Sequence, residues 1–357
     1  MKRGLVVLDP AEVPEGEWRG RVAALQDTLA AEQVDVGLVY GDVYASDDIA
    51  YLTNLCVYWN EGVLAVPATG DPVFLTKLSP RVHPWMRRVS TVSRIESGKD
   101  FGALAAKLLD GAPAGTVGLV DAALWPAHVA EQVRAALPGW RVRDLGGLVR
   151  ERRTVASARE VALLRTGGEV VGRAADEAVR DGLGGFERVS VAERVVRGAG
   201  FLDVQVGRSS TADGVECVRV TGQFRTGWLQ AGRLAGSAPW TLALDDALAA
   251  AVSAARAGAS PGDLAKAASP ALEGLPEGAD AQVGWVNQSD LSSGGEYRAE
   301  VESLAPGNVG AVTVDVLFAD GGYAAVADTV LITSGAARRL TAAPAPTTAD
   351  TTGRASA

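Results

Sequence analysis

A single aspartate interrupts the apolar segment VTVDVLF, residues 312–318, where Asp315 follows Thr313 by two positions. Residues two apart in a β-strand share one face, so Thr313 and Asp315 should face the same side of a sheet. A carboxylate held there could serve as a general acid or base. The pattern fits a solvent-facing strand residue or an internal salt bridge equally well, so Asp315 is a candidate with two structural alternatives.

Histidine and cysteine, the common partners of a catalytic carboxylate or a metal, are scarce. Both histidines, His83 and His128, lie in the first 150 residues, and Cys56 and Cys217 are far apart without CxxC or zinc spacing. Cys217 has no histidine near it in sequence and is interpreted as a small core residue. This cysteine usage is typical of a reduced, cytoplasmic protein.

The bulk composition narrows the class of protein. The chain has 357 residues, 47% of them hydrophobic, which is enough for two domains with sizeable cores. Its net charge of −9 argues against binding along a nucleic-acid backbone. No apolar run approaches the length of about 18 residues that indicates a membrane span, and the N-terminus has no signal-peptide core, so we expect neither membrane insertion nor secretion.

The elements that would position these residues fall into two groups. Over residues 1–150 helical and strand patterns alternate, which predicts an α/β domain. The expected helices are 18–33, 100–109 and 124–137, and the expected strands are 36–40, 63–68, 72–76 and 116–121.

A second domain is predicted over residues 151–342, beginning with a long helix that Ser157 and Glu160 cap reciprocally. It mixes helices and strands, and the turn ADGG at 319–322 joins the last two strands into a hairpin. The tail, residues 343–357, has no apolar periodicity and is predicted to be disordered. The expected helices are 157–182, 189–199, 240–257 and 261–273, and the expected strands are 202–206, 216–223, 309–318 and 323–333.

Several segments, in order along the chain, resemble the pita-bread peptidase family, which includes aminopeptidase P, prolidase and creatinase. They are SDDIAYLTNL (a strand in the resemblance), RERRTVASAREVALLRTGGEV, GQFRTGW, GASPGDL, SLAPGN and VADTVLITSGAARRLT. Each segment alone is a weak signal, but six in the right order span almost the whole chain. The resemblance implies an α/β creatinase-like N-terminal domain followed by an α+β pita-bread C-terminal domain.

The resemblance also implies where the two divalent metals of this family would bind, through two Asp, one His and two Glu. Carried over from neighbouring segments, these positions fall at Val220, at Gln230 or Ala231, close to Gly284, at Thr313 and at Ala327. None of these residues is a strong metal ligand, and the second domain has no histidine. We therefore expect a chain that has lost the dinuclear metal centre and uses no cofactor.

The residues that remain near these positions form the predicted site. Asp315, Gln230 and Glu61 are the candidate catalytic residues. The loop NLCVYWNEG would reach the active site of a second subunit, as in the family, which predicts a homodimer. Packing, a simple loop or an interdomain pair would explain several of the remaining candidates equally well. The candidate substrate-binding residues are Trp228, Trp285, Asn287, Thr313, Arg225, Tyr58 and Trp59.

Two functions fit this pattern. One is a metal-independent, creatinase-like enzyme of specialised metabolism. It would act on a small amino-acid-derived or guanidino compound by C–N hydrolysis, elimination, cyclisation or isomerisation. The other is a non-catalytic pseudopeptidase that binds a small ligand or a partner protein, since three of the former ligand positions carry no titrating group. An ordinary metallopeptidase is disfavoured.

Overall fold

The computed structural model describes residues 9–57, 60–293 and 301–342 of the chain. The predicted disordered tail lies outside these residues. Two β-sheets, each packed against helices, organise the described part of the protein, which confirms the predicted fold class.

The N-terminal unit is a six-stranded mixed sheet between two layers of helices. Its helices are α1 (Glu15–Ala31), α2 (Asp47–Thr53), α3 (His83–Val89), α4 (Phe101–Leu108) and α5 (Ala127–Ala136). Its strands are β1 (Val36–Asp42), β2 (Glu61–Pro67), β3 (Val73–Thr76), β4 (Arg94–Ser97), β5 (Thr116–Val120) and β6 (Arg141–Leu145). The strand order is β4-β3-β2-β1-β5-β6, and β1 pairs in parallel with β5. One apolar cluster joins α1, α2 and α3 to one face, and another joins α4 and α5 to the other.

One expectation for this unit is wrong. The segment SDDIAYLTNL, expected to be a strand, forms the helix α2. Asp47 and Asp48 occupy its first turn, where carboxylates interact favourably with the positive end of the helix dipole. Asn54 ends the helix in the left-handed conformation with φ 63°, which asparagine tolerates well.

The helix α6 (Leu148–Arg153) connects the two units, and residue 150, the predicted domain boundary, lies within it. The boundary itself stays a prediction. The next helix, α7 (Ala158–Ala178), begins with the expected capping box, in which Ser157 and Glu160 each accept a hydrogen bond from the other's backbone N–H. This confirms the predicted start of the helix.

The C-terminal unit is a seven-stranded antiparallel sheet with its helices on one face. The remaining helices are α8 (Phe186–Gly198), α9 (Thr241–Ala254) and α10 (Pro261–Leu272). The strands are β7 (Asp203–Ser210), β8 (Glu216–Phe224), β9 (Gly227–Ala235), β10 (Asp280–Asn287), β11 (Val309–Leu317), β12 (Tyr323–Leu331) and β13 (Arg338–Arg339). Their order is β10-β11-β12-β9-β8-β7, with β13 paired to β12, and the hairpin predicted at 319–322 joins β11 to β12.

Ion pairs and hydrogen bonds, some of them buried, hold the two units together. Arg21 of α1 lies 3.3 Å from Glu160 of α7, and the Ser157 hydroxyl donates to Glu17 at 2.7 Å. The Arg225 guanidinium donates two hydrogen bonds, at 2.5 and 2.6 Å, to the carboxylate of Glu12. The N-terminal unit is thereby held against the β8–β9 end of the C-terminal sheet.

Candidate functional site

The two faces of the C-terminal sheet differ in chemistry. One face packs on α7, α8, α9 and α10 through apolar side chains, among them Val220 and Ala231. Because successive residues of a strand alternate between faces, Thr221 and Gln230 lie on the opposite, helix-free face. Val220, the position inferred for one metal ligand, therefore faces the helices, and its neighbour Thr221 lies on the helix-free face. Of the two residues considered for the second aspartate, Gln230 is the one on the helix-free face.

Thr221 and Gln230 are direct cross-strand neighbours and are hydrogen-bonded to each other. The Gln230 Nε2 donates to the Thr221 Oγ1 at 2.9 Å, and both side chains are buried. The Gln230 backbone N–H donates to the Thr329 hydroxyl at 2.7 Å, and that hydroxyl donates back to the Gln230 carbonyl at 2.9 Å. These polar groups satisfy one another within the sheet.

The other three inferred ligand positions also meet across the sheet. Thr313 of β11 pairs with Gly284 on one side and with Ala327 on the other, and Ala327 pairs with Gly232 of β9. The row therefore offers one hydroxyl, no carboxylate and no imidazole. Within residues 9–57, 60–293 and 301–342, no group of three or more His, Cys, Asp or Glu is arranged to hold a metal ion.

Asp315 shares the helix-free face with Thr313 but is held by an ion pair. It accepts hydrogen bonds from Arg219 of β8 and from the Tyr323 hydroxyl, and Arg219 also donates to that hydroxyl at 2.8 Å. Burial opposes ionisation of Asp315, yet the Arg219 guanidinium and hydrogen bonds from Tyr323, Arg219 and Thr313 keep its pKa below the usual value. A carboxylate stabilised in this way is a weak base.

Trp228 is held by the N-terminal unit. Its indole Nε1 donates to the Asp47 Oδ2 at 2.8 Å, and the Gln223 Nε2 donates to the Asp47 Oδ1 at 3.0 Å. Asp47 begins α2 and is buried, as are Trp228 and Gln223. The N-terminal domain thus covers the hairpin end of the helix-free face.

Trp285 and Asn287 lie on β10, where a strand replaces the loop that the sequence equally allowed. The Trp285 Nε1 donates to the Asn287 Oδ1 at 2.8 Å, and the indole belongs to the apolar cluster under α9 and α10. Trp285 pairs with Val312, on the face opposite Thr313. Its side chain therefore contributes to the core.

The remaining predicted residues lie in different parts of the molecule. Glu61 lies on β2, where it accepts hydrogen bonds from Lys77 at 2.7 Å and from the Tyr40 hydroxyl at 2.7 Å. Despite burial, these bonds hold the pKa of its carboxyl below the usual value. Arg225 is engaged by Glu12, as described above. Tyr58 and Trp59 lie outside the described residues.

Sequence reasoning missed a cavity of about 510 Å³ between the two domains. It opens at the carboxyl ends of the parallel strands β1 and β5, and residues of α2, α6 and the segment after β10 close it. Its walls carry aromatic, acidic and basic side chains. Those that matter for its chemistry are Tyr40, Trp125, Asp48, Asp121, Arg150 and Arg153.

The charges in this cavity are largely paired. The buried Arg153 guanidinium donates to Asp48 at 2.8 Å and lies 3.5 Å from Asp47, while Arg150 donates to Asp290 at 2.6 Å. Asp121 differs, because its Oδ2 is buried and has no hydrogen-bond partner within the described part of the chain. Burial, with a smaller contribution from Asp48, raises the pKa of the Asp121 carboxyl. The only hint in the sequence was an acidic residue at the end of the predicted strand TVGLVD, residues 116–121.

Among the described residues, no helix combines the length and the apolar character that crossing a bilayer requires.

Comparisons with known proteins agree with this geometry. Residues 21–155 match the family model of the Creatinase/Prolidase N-terminal domain. A search of curated proteins gives no match.

Solved structures of peptidases resemble nearly the whole chain. The prolidase from Pyrococcus horikoshii OT3 superposes with a TM-score of 0.72 at 14% identity, covering 92% of this chain and 99% of that one. The X-Pro aminopeptidase from Thermotoga maritima MSB8 gives a TM-score of 0.73 at 14% identity, with coverage of 90% and 98%. The dipeptidase PepE from Mycobacterium ulcerans gives 0.69 at 18% identity, with coverage of 92% and 96%.

Residues 21–155 are therefore similar to the Creatinase/Prolidase N-terminal domain, and the chain as a whole has the pita-bread fold seen in the prolidases and X-Pro aminopeptidases.

Proposed function

We propose that this protein is a metal-independent, non-catalytic member of the pita-bread fold that binds a small ligand. The main observation in support of this proposal is the hydrogen bond between Gln230 and Thr221 on the helix-free face of the sheet. Gln230 is one of the two positions that the resemblance implies for the second aspartate, and Thr221 is next to Val220, the position implied for the first.

The donor set on that face does not suit divalent metals. Mg²⁺ and Mn²⁺ prefer carboxylate and carbonyl oxygens, and Zn²⁺ prefers imidazole, thiolate or carboxylate. Thr221, Gln230, Thr313 and Ala327 supply two hydroxyls, one amide and a methyl group. The Gln230 amide N–H and the Thr221 hydroxyl oxygen are already bonded to each other. A metal bound there would gain no charged ligand from these four residues.

The same face offers little for acid–base catalysis. Asp315 lies on this face, and its pairing with Arg219 lowers the pKa of its carboxyl. Proton transfer at neutral pH is fastest with a group whose pKa lies near 7, so a pKa shift in the opposite direction disfavours Asp315 as general base. These features support ligand binding over peptide hydrolysis.

A second candidate is the metal-independent enzyme acting on a small amino-acid-derived or guanidino compound. One observation favours it, because a carboxyl with a raised pKa and a buried unpartnered oxygen, Asp121, lines the cavity between the domains. Carboxyl groups in such surroundings serve as acids or bases in many active sites. Turnover of a bound ligand would select this candidate.

The proposed setting is the cytoplasm, with the protein acting as a homodimer. The two widely spaced cysteines support the compartment, and the resemblance supports the assembly. Neither nucleic acid nor a membrane is a proposed partner.

Hydrolysis of Xaa-Pro dipeptides tests the proposed function. The protein and a metal-loaded prolidase are incubated in parallel with Ala-Pro and Gly-Pro, each with added Mn²⁺, Co²⁺ or Zn²⁺. We expect the prolidase to release proline and this protein to release none above the buffer. Release of proline that follows enzyme concentration and disappears with a chelator would contradict the proposal.

A further inference from the structure

We propose that the cavity between the two domains is the ligand site of this protein and that it takes a small organic cation, an alkylammonium or arylalkylammonium. Asp121 would hold the charged end, and Tyr40 and Trp125 would contact the carbon skeleton. The inference rests on the proposed function, in which the chain binds a small ligand, and adds the place and the chemical class.

The topology supports the place. In open α/β sheets, ligands bind outside the carboxyl ends of the strands where the strand order reverses. Here the chain leaves β1 towards β2, β3 and β4 on one side and returns to β5 and β6 on the other, so β1 and β5 flank that reversal. Tyr40 near the end of β1 and Asp121 directly after β5 both line the cavity. Its volume of about 510 Å³ is typical of small-molecule sites.

The pairing of charges supports a cation. Arg153 is bonded to Asp48 and lies near Asp47, and Arg150 is bonded to Asp290, so both guanidiniums are already neutralised by carboxylates. The Asp121 Oδ2, by contrast, is a buried acceptor without a donor in the described chain. Buried polar atoms in folded proteins are nearly always hydrogen-bonded, so this oxygen is suited to a donor from a ligand. An ammonium supplies both the N–H and the compensating charge.

Aromatic rings next to this carboxyl support an organic rather than an inorganic cation. The rings of Tyr40 and Trp125 lie 5.5 Å apart between centroids, tilted by 40°. The Trp125 Nε1 donates to the Val120 carbonyl at 2.8 Å, which fixes the indole beside Asp121. Aromatic faces attract alkylammonium groups and pack against carbon chains. Tyr44, whose side chain is 84% exposed, adds a third ring at the mouth.

Calorimetric titration with three probes of similar skeleton tests the site. The probes are 2-phenylethylamine as the cation, 2-phenylethanol as the neutral analogue and 3-phenylpropanoate as the anion, each added to the full chain near pH 7. We expect the amine to bind most tightly. Asp121→Asn should weaken amine binding at least about tenfold, the loss expected for one charge-assisted hydrogen bond.

Two further variants are measured beside Asp121→Asn. Asp110→Asn removes a carboxylate from an exposed turn and makes the same change in net charge, so it should leave amine affinity unchanged. Tyr44→Ala changes an exposed side chain and should weaken binding about two- to fivefold without lowering the melting temperature.

Other results would overturn the inference, place the ligand elsewhere or contradict the proposed function. Tightest binding of 3-phenylpropanoate, no binding of any probe, or an unchanged affinity in Asp121→Asn would overturn the inference. If Gln230→Ala abolished binding while Asp121→Asn did not, the ligand would lie on the helix-free face, and only the proposed function would stand. Chemical conversion of the bound amine would support the cavity and contradict the non-catalytic function.

Discussion

Gln230 and Thr221 face each other across the β8–β9 hairpin, and the amide of one donates a 2.9 Å hydrogen bond to the hydroxyl of the other. Neutral groups that bond each other need no third partner. Two carboxylates in the same places would repel each other and would need a cation between them. The hydrogen bond between these two side chains therefore lets β8 and β9 pair at this point with no cation between them.

Asp315→Asn should destabilise the protein by about 2 kcal/mol and leave ligand affinity unchanged. Asp315 accepts hydrogen bonds from Arg219 and Tyr323 in a largely buried setting, and removing one charge leaves the guanidinium without its partner. Urea unfolding of the variant and the parent measures the difference. Tyr323→Phe removes the two hydrogen bonds of the hydroxyl and no charge, should cost about 1 kcal/mol, and serves as the control.

The effect of Asp315→Asn should depend on pH. The folded-state pKa of Asp315 is lowered, so its carboxylate stabilises the fold above its unfolded pKa, and this stabilisation is lost as the pH falls through the folded value. The difference in unfolding free energy between parent and variant should have its full size at pH 7 and should shrink below about pH 4. A stability difference that stays constant across that pH range would contradict the structural role of Asp315. So would a variant that loses a catalytic activity about a hundredfold and keeps its stability.

Arg225→Gln should lower stability by no more than about 1 kcal/mol and should not alter ligand affinity. Arg225 is a partly exposed interdomain partner of Glu12, and such pairs contribute little. A double-mutant cycle with Glu12→Gln measures the coupling between the two side chains. A selective loss of ligand affinity in Arg225→Gln would return this residue to the substrate-binding role.

Asp121→Asn should make the protein more stable at pH 8. Burial raises the pKa of Asp121, so ionisation is unfavourable in the folded state, and the stability present below the unfolded pKa is lost as the pH rises through the folded value. The melting temperature of the variant should exceed that of the parent at pH 8, and the two should converge towards about pH 4. A variant less stable than the parent at pH 8 would show that Asp121 has a structural partner.

We predict a homodimer at micromolar concentration, in which residues 58–61 of one chain approach the Trp228 and Asp315 region of its partner. The motivation is the family resemblance, in which this loop reaches the neighbouring site. Light scattering coupled to gel filtration measures the mass directly. A monomer, or a dimer that joins other surfaces, would contradict the prediction.

The elements with strong periodic patterns were predictable from sequence. Ser157 and Glu160 identified the start of α7 because both halves of a capping box are local, and the turn at 319–322 identified the last hairpin for the same reason. The α2 segment was not predictable as a helix, because seven residues carry little periodic signal and its packing partners are distant in sequence.

For the candidate site, the sequence predicted only which residues share a face of the sheet. Strand alternation placed Thr313 and Asp315 together, but Arg219, which decides the ionisation of Asp315, lies 96 residues away in sequence. Val220 and its neighbour Thr221 lie on opposite faces of the sheet, so a shift of one residue decides which face carries the inferred position. Asp121 lines the cavity together with residues of α2 and α6, which are distant from it in sequence, so the sequence did not predict this cavity.

The metal content of the purified protein shows directly whether it binds divalent metal ions. The protein is purified, incubated with excess Mn²⁺, Zn²⁺, Co²⁺ and Fe²⁺ in separate samples, passed through a desalting column and analysed by plasma mass spectrometry, with a prolidase treated in parallel. We expect fewer than about 0.1 metal ions per chain, because the five inferred ligand positions carry no carboxylate, imidazole or thiolate. One or two ions per chain, lost together with ligand binding or activity on chelation, would contradict this expectation.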